Sequence, residues 1–406
     1  MHRFGIFCAA LLVACGTPAP PSDANVDDAG SDAWALPDAW IDPCGGVTSP
    51  YVQTVAMLAR GRYSPAVARL SDGRVLIAGG FDFALGMTGT AELYDPVARS
   101  LSPTGPLLVG RNFATATRVA SGVLVIGGFD NATGSVGAIE RYDEASGTFV
   151  PSSVGLAHGR EAHTATLLDD GRVLVAGGLQ ARGLQFQNTL EVYDPVTDTI
   201  HTSRSSLFPP RGFHDAVWLD SRGAVLLVGG DSGMGELATG IRWTVGGDVI
   251  DPTHSDRAHA AKAVAAVLLP NGHVIVAGGA SALDGTLSDV DEFDPSTDRF
   301  TPVAPMSIRR MAHTLTSLGD GRLVAIGGWS DSEVAPGGGA AATASIEVRG
   351  SDGHWTRWPL DLAVARLDHR TIAIDACHVV VIGGQHAATG ASPSAPREVE
   401  LVTIPR

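Results

Sequence analysis

Val173-Leu-Val-Ala-Gly177-Gly178 is one of seven versions of a single phrase in this chain of 406 residues. The others are Val75-Leu-Ile-Ala-Gly79-Gly80, Val123-Leu-Val-Ile-Gly127-Gly128, Val225-Leu-Leu-Val-Gly229-Gly230, Val274-Ile-Val-Ala-Gly278-Gly279, Leu323-Val-Ala-Ile-Gly327-Gly328 and Val379-Val-Val-Ile-Gly383-Gly384. Their first glycines lie 48, 50, 52, 49, 49 and 56 residues apart, the self-similarity of a repeat architecture. A short β-branched apolar run closed by glycine reads as a buried strand, here called b.

The sequence around each run supplies three more strands. Asp72-Gly73, Ser121-Gly122, Asp170-Gly171, Arg222-Gly223, Asn271-Gly272 and Asp320-Gly321 stand before six of the runs, and such dipeptides predict two-residue hairpin turns. Stretches such as His163-Thr-Ala-Thr-Leu-Leu168 precede the turn and read as strand a. Beyond the doublets, Glu92-Leu-Tyr94-Asp95-Pro96, Glu140-Arg-Tyr142-Asp143, Glu191-Val-Tyr193-Asp194-Pro195 and Glu292-Phe293-Asp294-Pro295 read as strand c running into a turn, and Thr148-Phe149-Val150 or Arg299-Phe300-Thr301 as strand d. Unit four departs furthest, with Ile241-Arg-Trp243 where the others show Glu-x-Tyr.

Such units, with Gly-Gly after strand b and Tyr-Asp in strand c, resemble kelch repeats, which build β-propellers including the central domain of galactose oxidase. The resemblance covers Tyr51 to Arg406 and implies an all-β, seven-bladed kelch-type β-propeller with four antiparallel strands per blade and strand a innermost. The family tryptophan of strand d survives only as Trp355. Only one strand, Glu398-Val-Glu-Leu-Val-Thr403, follows the seventh doublet, so Tyr51–Met57 is expected to close the ring as the outer strand of the last blade.

The start of the chain reads as an address. Residues 1–14 combine His2 and Arg3 with an apolar run too short to span a bilayer, and Leu12-Val13-Ala14-Cys15-Gly16 resembles the bacterial lipobox. That resemblance implies lipidation at Cys15 and an outer-membrane lipoprotein, periplasmic or surface-exposed. Residues 15–45 form a Pro-, Ala- and Asp-rich tether, and 46–406 the propeller. Cys44 and Cys377 then remain as an even pair outside the cytoplasm, read as a disulfide.

Composition limits function. The 50 glycines follow no collagen period, and a hydrophobic content of 44% excludes wholesale disorder. A net charge of −15, with Lys262 the lone lysine, argues against a nucleic-acid partner. Arg62, Arg111, Arg160, Arg211, Arg310 and Arg366 mark the entry to strand a in six units, and His163, His214, His313 and His369 follow three residues later. Two readings stand: a cationic ring at the channel mouth, holding a carboxylate, a sulfate or an acidic sugar, or repeated structural pairs with backbone carbonyls and acids. Trp329, opening the long loop to Ala344, joins these as a candidate binding residue. The Glu and Tyr of strand c are expected to serve packing and inter-blade hydrogen bonds.

The copper site of galactose oxidase has no matching inventory among the tyrosines and cysteines, and His158 and His163 lack zincin spacing. No cofactor or metal is expected. The expectation is a monomeric, non-catalytic propeller, tied to the membrane only through its lipid, that binds an unknown protein or glycan through the face carrying the b–c and d–a loops. The alternative is a hydrolase, lyase or epimerase acting on an acidic sugar through the Arg/His ring.

Overall fold

The computed structural model describes residues 49–180, 184–332, 341–387 and 392–405. The expected lipobox, tether and Cys44 lie outside the described residues. Strands a begin at Ala66, Thr115, Thr164, Asp215, Ala265, Thr314 and Arg370, and each pairs antiparallel with a strand b, which pairs with c, which pairs with d. This makes seven four-stranded sheets, and neighbouring strands a lie against one another around a common axis. The last sheet closes as expected. Tyr51–Met57 is its outer strand, with Tyr51 opposite Thr403 and Met57 opposite Glu398.

The hydrophobic core is divided among the junctions between blades. Each junction holds its own cluster; Leu76, Ala78, Leu93, Val123, Val125 and Tyr142 fill the one between blades one and two. The junction between blades seven and one is built alike, from Val67, Ile77 and Tyr94 against Val380, Val399 and Leu401. The ring therefore closes through an apolar cluster of the same kind as the others.

The glycine doublet has a specific cause. The N–H of the second glycine donates to the backbone carbonyl at the strand-a entry of the next blade in all seven units: Gly80 to Arg111, Gly128 to Arg160, Gly178 to Arg211, Gly230 to Ala261, Gly279 to Arg310, Gly328 to Arg366 and Gly384 to Arg62, at 2.8–3.0 Å. A Cβ on the first glycine would stand 2.3–2.7 Å from that same carbonyl oxygen, and both glycines have positive φ. The doublet is the place where one blade backs onto the next.

The structure revises two local expectations. The a–b turn has two residues only in blade two, where Val119 pairs with Gly122. In blades one, three, five and six a three-residue loop ends on Gly73, Gly171, Gly272 or Gly321 at φ between +83° and +90°, the bulged hairpin that also favours glycine. In blade five, Asp291 occupies the position of Glu92, opposite strand b at Val276 as Glu92 is opposite Ile77. The sequence reading had used Glu292, one residue out of register.

Candidate functional site

The six entry arginines are fully buried, and none presents its guanidinium to solvent. Each donates through Nη1 to the carbonyl of its own blade's first doublet glycine, as Arg62 does to Gly79 at 2.7 Å and Arg310 to Gly327 at 2.8 Å. Five also pair with the strand-c glutamate of the same blade. Arg62–Glu92 measures 2.8 Å and Arg310–Glu347 2.7 Å; Arg111–Glu140, Arg160–Glu191 and Arg366–Glu400 are equally direct. Those glutamates also accept backbone N–H groups of the d–a loop, such as Ala59 to Glu92 at 3.0 Å and Ala157 to Glu191 at 2.9 Å. An open cationic ring is therefore corrected to a set of internal clamps tying the doublet, strand c and the incoming loop together. The glutamates act within a blade, contrary to expectation. Of the strand-c tyrosines, Tyr142 bonds between blades, its Oη 2.6 Å from Thr104 Oγ1 of the preceding blade, whereas Tyr193 donates to Asp198 of its own blade and Tyr94 Oη has no partner among the described residues.

Two blades depart from the clamp in complementary ways. In blade four Ile241 stands in the glutamate position, so among the described residues Arg211 has only Gly229, Thr239 and the field of Asp256, and burial pulls its pKa down to about 10. In blade five Ala261 replaces the arginine, and Arg257, four residues earlier, reaches Asp291 at 2.8 Å.

The histidines are equally internal. His163, His214 and His369 hold Thr115, Thr164 and Thr314 of the preceding blade at 3.2, 3.1 and 3.0 Å. Blade five offers Ala265 there, and neither ring nitrogen of His313 has a partner. Burial, then the neighbouring arginine, lowers His163 and His313 to about 3 and drives His214 and His369 well below the usual value. All four are neutral at physiological pH, so they add no cationic charge.

The residues after each arginine build the channel mouth. Ser64, Phe113, Ala162, Phe213, Ala263, Ala312 and Asp368 all adopt positive φ, between +46° and +65°, and bond blade to blade, as Phe213 N to Ala162 O at 3.0 Å. The mouth has two halves. Phe213, Ala263, Met311, Ala312 and Leu367 form an apolar arc. Opposite stand Asp368, Tyr63, Asn112 and Glu161, from blades seven, one, two and three. Tyr63 Oη donates to Asp368 at 3.0 Å, and burial followed by that carboxylate raises its pKa well above 10. Glu161, two blades away, holds in blade three the position next to the entry arginine that Tyr63 holds in blade one. Burial alone pushes Glu161 up to about 7, and its Oε2 has no hydrogen-bond partner.

Glu161 and Tyr63 belong to different units of the chain, and no local motif joins them. The missed signal is position: both directly follow a ring arginine. On the same face, short two-stranded hairpins such as Phe81–Asp82 with Gly86–Met87 carry the b–c loops, with Leu85, Leu184, Met234 and Leu283 exposed at their tips. Trp329 is half-buried and paired with Ala342 at the base of such a hairpin. Residues 333–340 and 388–391 of the two long loops lie outside the described residues. Cys377 is fully buried.

A closed ring of seven four-stranded blades, each backed onto the next at its glycine doublet, defines a β-propeller. Within it, residues 265–307 match the family model described as the Kelch motif, as the resemblance in the repeats implies. A solved structure of YjhT is similar at 16% sequence identity and a TM-score of 0.55, covering 74% of this chain and 99% of that one. This likeness concerns the fold. No curated protein matches the chain.

Proposed function

We propose that this chain is a lipid-anchored, extracytoplasmic propeller that binds a protein or glycan through its b–c and d–a face without catalysing a reaction. The observation that carries this reading is Glu161. A buried carboxyl with one oxygen left without a hydrogen-bond partner weakens the fold, and groups of that kind concentrate where a protein contacts something else. It stands at the channel mouth, on the face that also carries the Tyr63–Asp368 pair and the exposed hairpin tips. The Arg/His route to an acidic sugar has no solvent-facing guanidinium to support it. Anchoring rests on the lipobox-like Leu12-Val13-Ala14-Cys15, and we pair Cys44 with Cys377 because Cys377 sits at the a–b turn of the blade that Tyr51–Met57 closes.

The test is a glycan array and a cell-surface protein array probed with the purified full chain and its Glu161→Gln variant. Binding that falls at least about tenfold in the variant, a difference near 1.4 kcal/mol, supports the reading. Equal binding by both overturns it. Metabolic labelling with a fatty acid tests the anchor: label should be present in the parent and absent in Cys15→Ala.

A further inference from the structure

The opposite face, where the a–b and c–d turns emerge, carries a feature that repeats in no other described junction. In five blades the position two residues after the strand-c glutamate site, which is Ile241 in blade four, is a buried aromatic: Tyr94, Tyr142, Tyr193, Trp243 and Phe293. Each packs into the junction with the preceding blade. In blade six the same position is Arg349, opposite Leu323 as Tyr94 is opposite Val75. An open crevice of about 510 Å³ lies there, between blades five and six, and Arg349 lines it.

Other junctions are bridged on this face. Ser71 N donates to Glu144 at 2.8 Å between blades one and two, Arg222 Nε to the Pro295 carbonyl at 2.7 Å between four and five, and Arg322 Nη1 to the Pro405 carbonyl at 2.7 Å between six and seven. Arg349 is 8% exposed, its Nε has no partner, and among the described residues its one ionic neighbour is Glu292 at 3.8 Å. An arginine in an aromatic's place, nine-tenths buried and unsatisfied beside an open crevice, is a donor kept for an acceptor that the chain does not supply.

We propose that this crevice binds a saccharide through vicinal hydroxyls. Its rim alternates donors and acceptors: the Arg349 guanidinium, the Glu292 and Asp352 carboxylates, the Asn271 amide and the Ser351 hydroxyl. An anion would meet the two carboxylates, and a cation would meet Arg349. A diol donates to the carboxylates while accepting from the guanidinium, and Leu269 and Pro270 give the C–H face of a sugar ring an apolar wall. The volume lies within the few hundred Å³ or more typical of small-ligand sites. The site is separate from the loop face, so it stands whether or not the Glu161 reading does.

The test is saturation-transfer NMR and calorimetry on the purified full chain, using D-glucose, D-galactose, D-mannose and N-acetyl-D-glucosamine, with glycine, arginine and phosphate as controls. At least one sugar should bind with a Kd of about 1 mM or tighter. Arg349→Tyr, which restores the aromatic of the other blades, should abolish binding without lowering the melting temperature. Ser351→Trp, at the exposed rim, should weaken it at least about tenfold and serves if Arg349→Tyr fails to fold. Binding that survives in the folded variants, binding by the controls alone, or no binding by any sugar overturns the proposal.

Discussion

At Gly177 the repeat is decided by a single missing carbon. A Cβ there would meet the Arg211 carbonyl at 2.3 Å and His214 Cε1 at 2.9 Å, in a backbone already at φ +58°. The neighbour is main chain, which has no rotamer to change. Gly177→Ala should therefore cost at least about 2 kcal/mol, from left-handed strain and overpacking together, read as a lower midpoint in chemical denaturation. Gly171→Ala, with positive φ but open space, should cost only the strain part of that. The buried clamps obey a different rule. With both side chains at 0% exposure, Glu347→Gln leaves Arg310 charged and incompletely answered, and a loss of about 3–5 kcal/mol is expected, the range for breaking a buried pair from one side. Replacing Arg257 and Asp291 together with leucines should cost less than Arg257→Leu alone, because the single change strands a buried carboxylate; a double-mutant cycle measures the difference.

Elements show what was legible in the chain and what was not. Strand b, its doublet and the closing strand could be read directly, because each depends on local pattern: an apolar run, a positive φ, and a strand count that leaves blade seven one short. Deleting Tyr51–Met57 exposes strand c of blade seven and removes Tyr51, Val55 and Ala56 from the junction with blade one, so the thermal midpoint should fall sharply while the signal for β-structure changes little below it. An unchanged melt would contradict closure by this strand. The arginines were harder because their partners lie far along the chain; Arg62 and Glu92 are 30 residues apart, Arg310 and Glu347 37. A clue was nevertheless present in the exceptions. The unit that lacks glutamate keeps Arg211 bonded only to backbone and Thr239 among the described residues, and the unit that lacks the arginine supplies Arg257 instead, so the two residue types behave as parts of one device. The Tyr63–Asp368–Glu161 arc was illegible for a topological reason: it exists only once blades seven, one and three face one axis.

For the whole molecule, buried ionisable groups set a pH profile with two opposing parts. Glu161 and Asp215 are each raised to about 7 by burial, against about 4 for an unfolded carboxyl, so both bind protons in the native state first. Their contribution to stability is full below about pH 4 and is lost as pH rises through 7. His163, His214, His313 and His369 are depressed by burial, so the unfolded chain binds their protons first, and their contribution is lost as pH falls below about 6.5. Near pH 5.5 four histidines outweigh two carboxyls by about two protons, and linkage turns that into a fall of roughly 2–3 kcal/mol per pH unit on acidification. Near pH 7.5 the two parts almost cancel and stability should be level. Denaturant melts between pH 5 and 9 should show this shape. Glu161→Gln removes one opposing carboxyl: the variant should be more stable than the parent at pH 8, and its advantage should shrink toward pH 5. A constant difference across that range would mean that Glu161 is already solvated in the native protein and that the channel mouth holds no carboxyl at the expense of the fold.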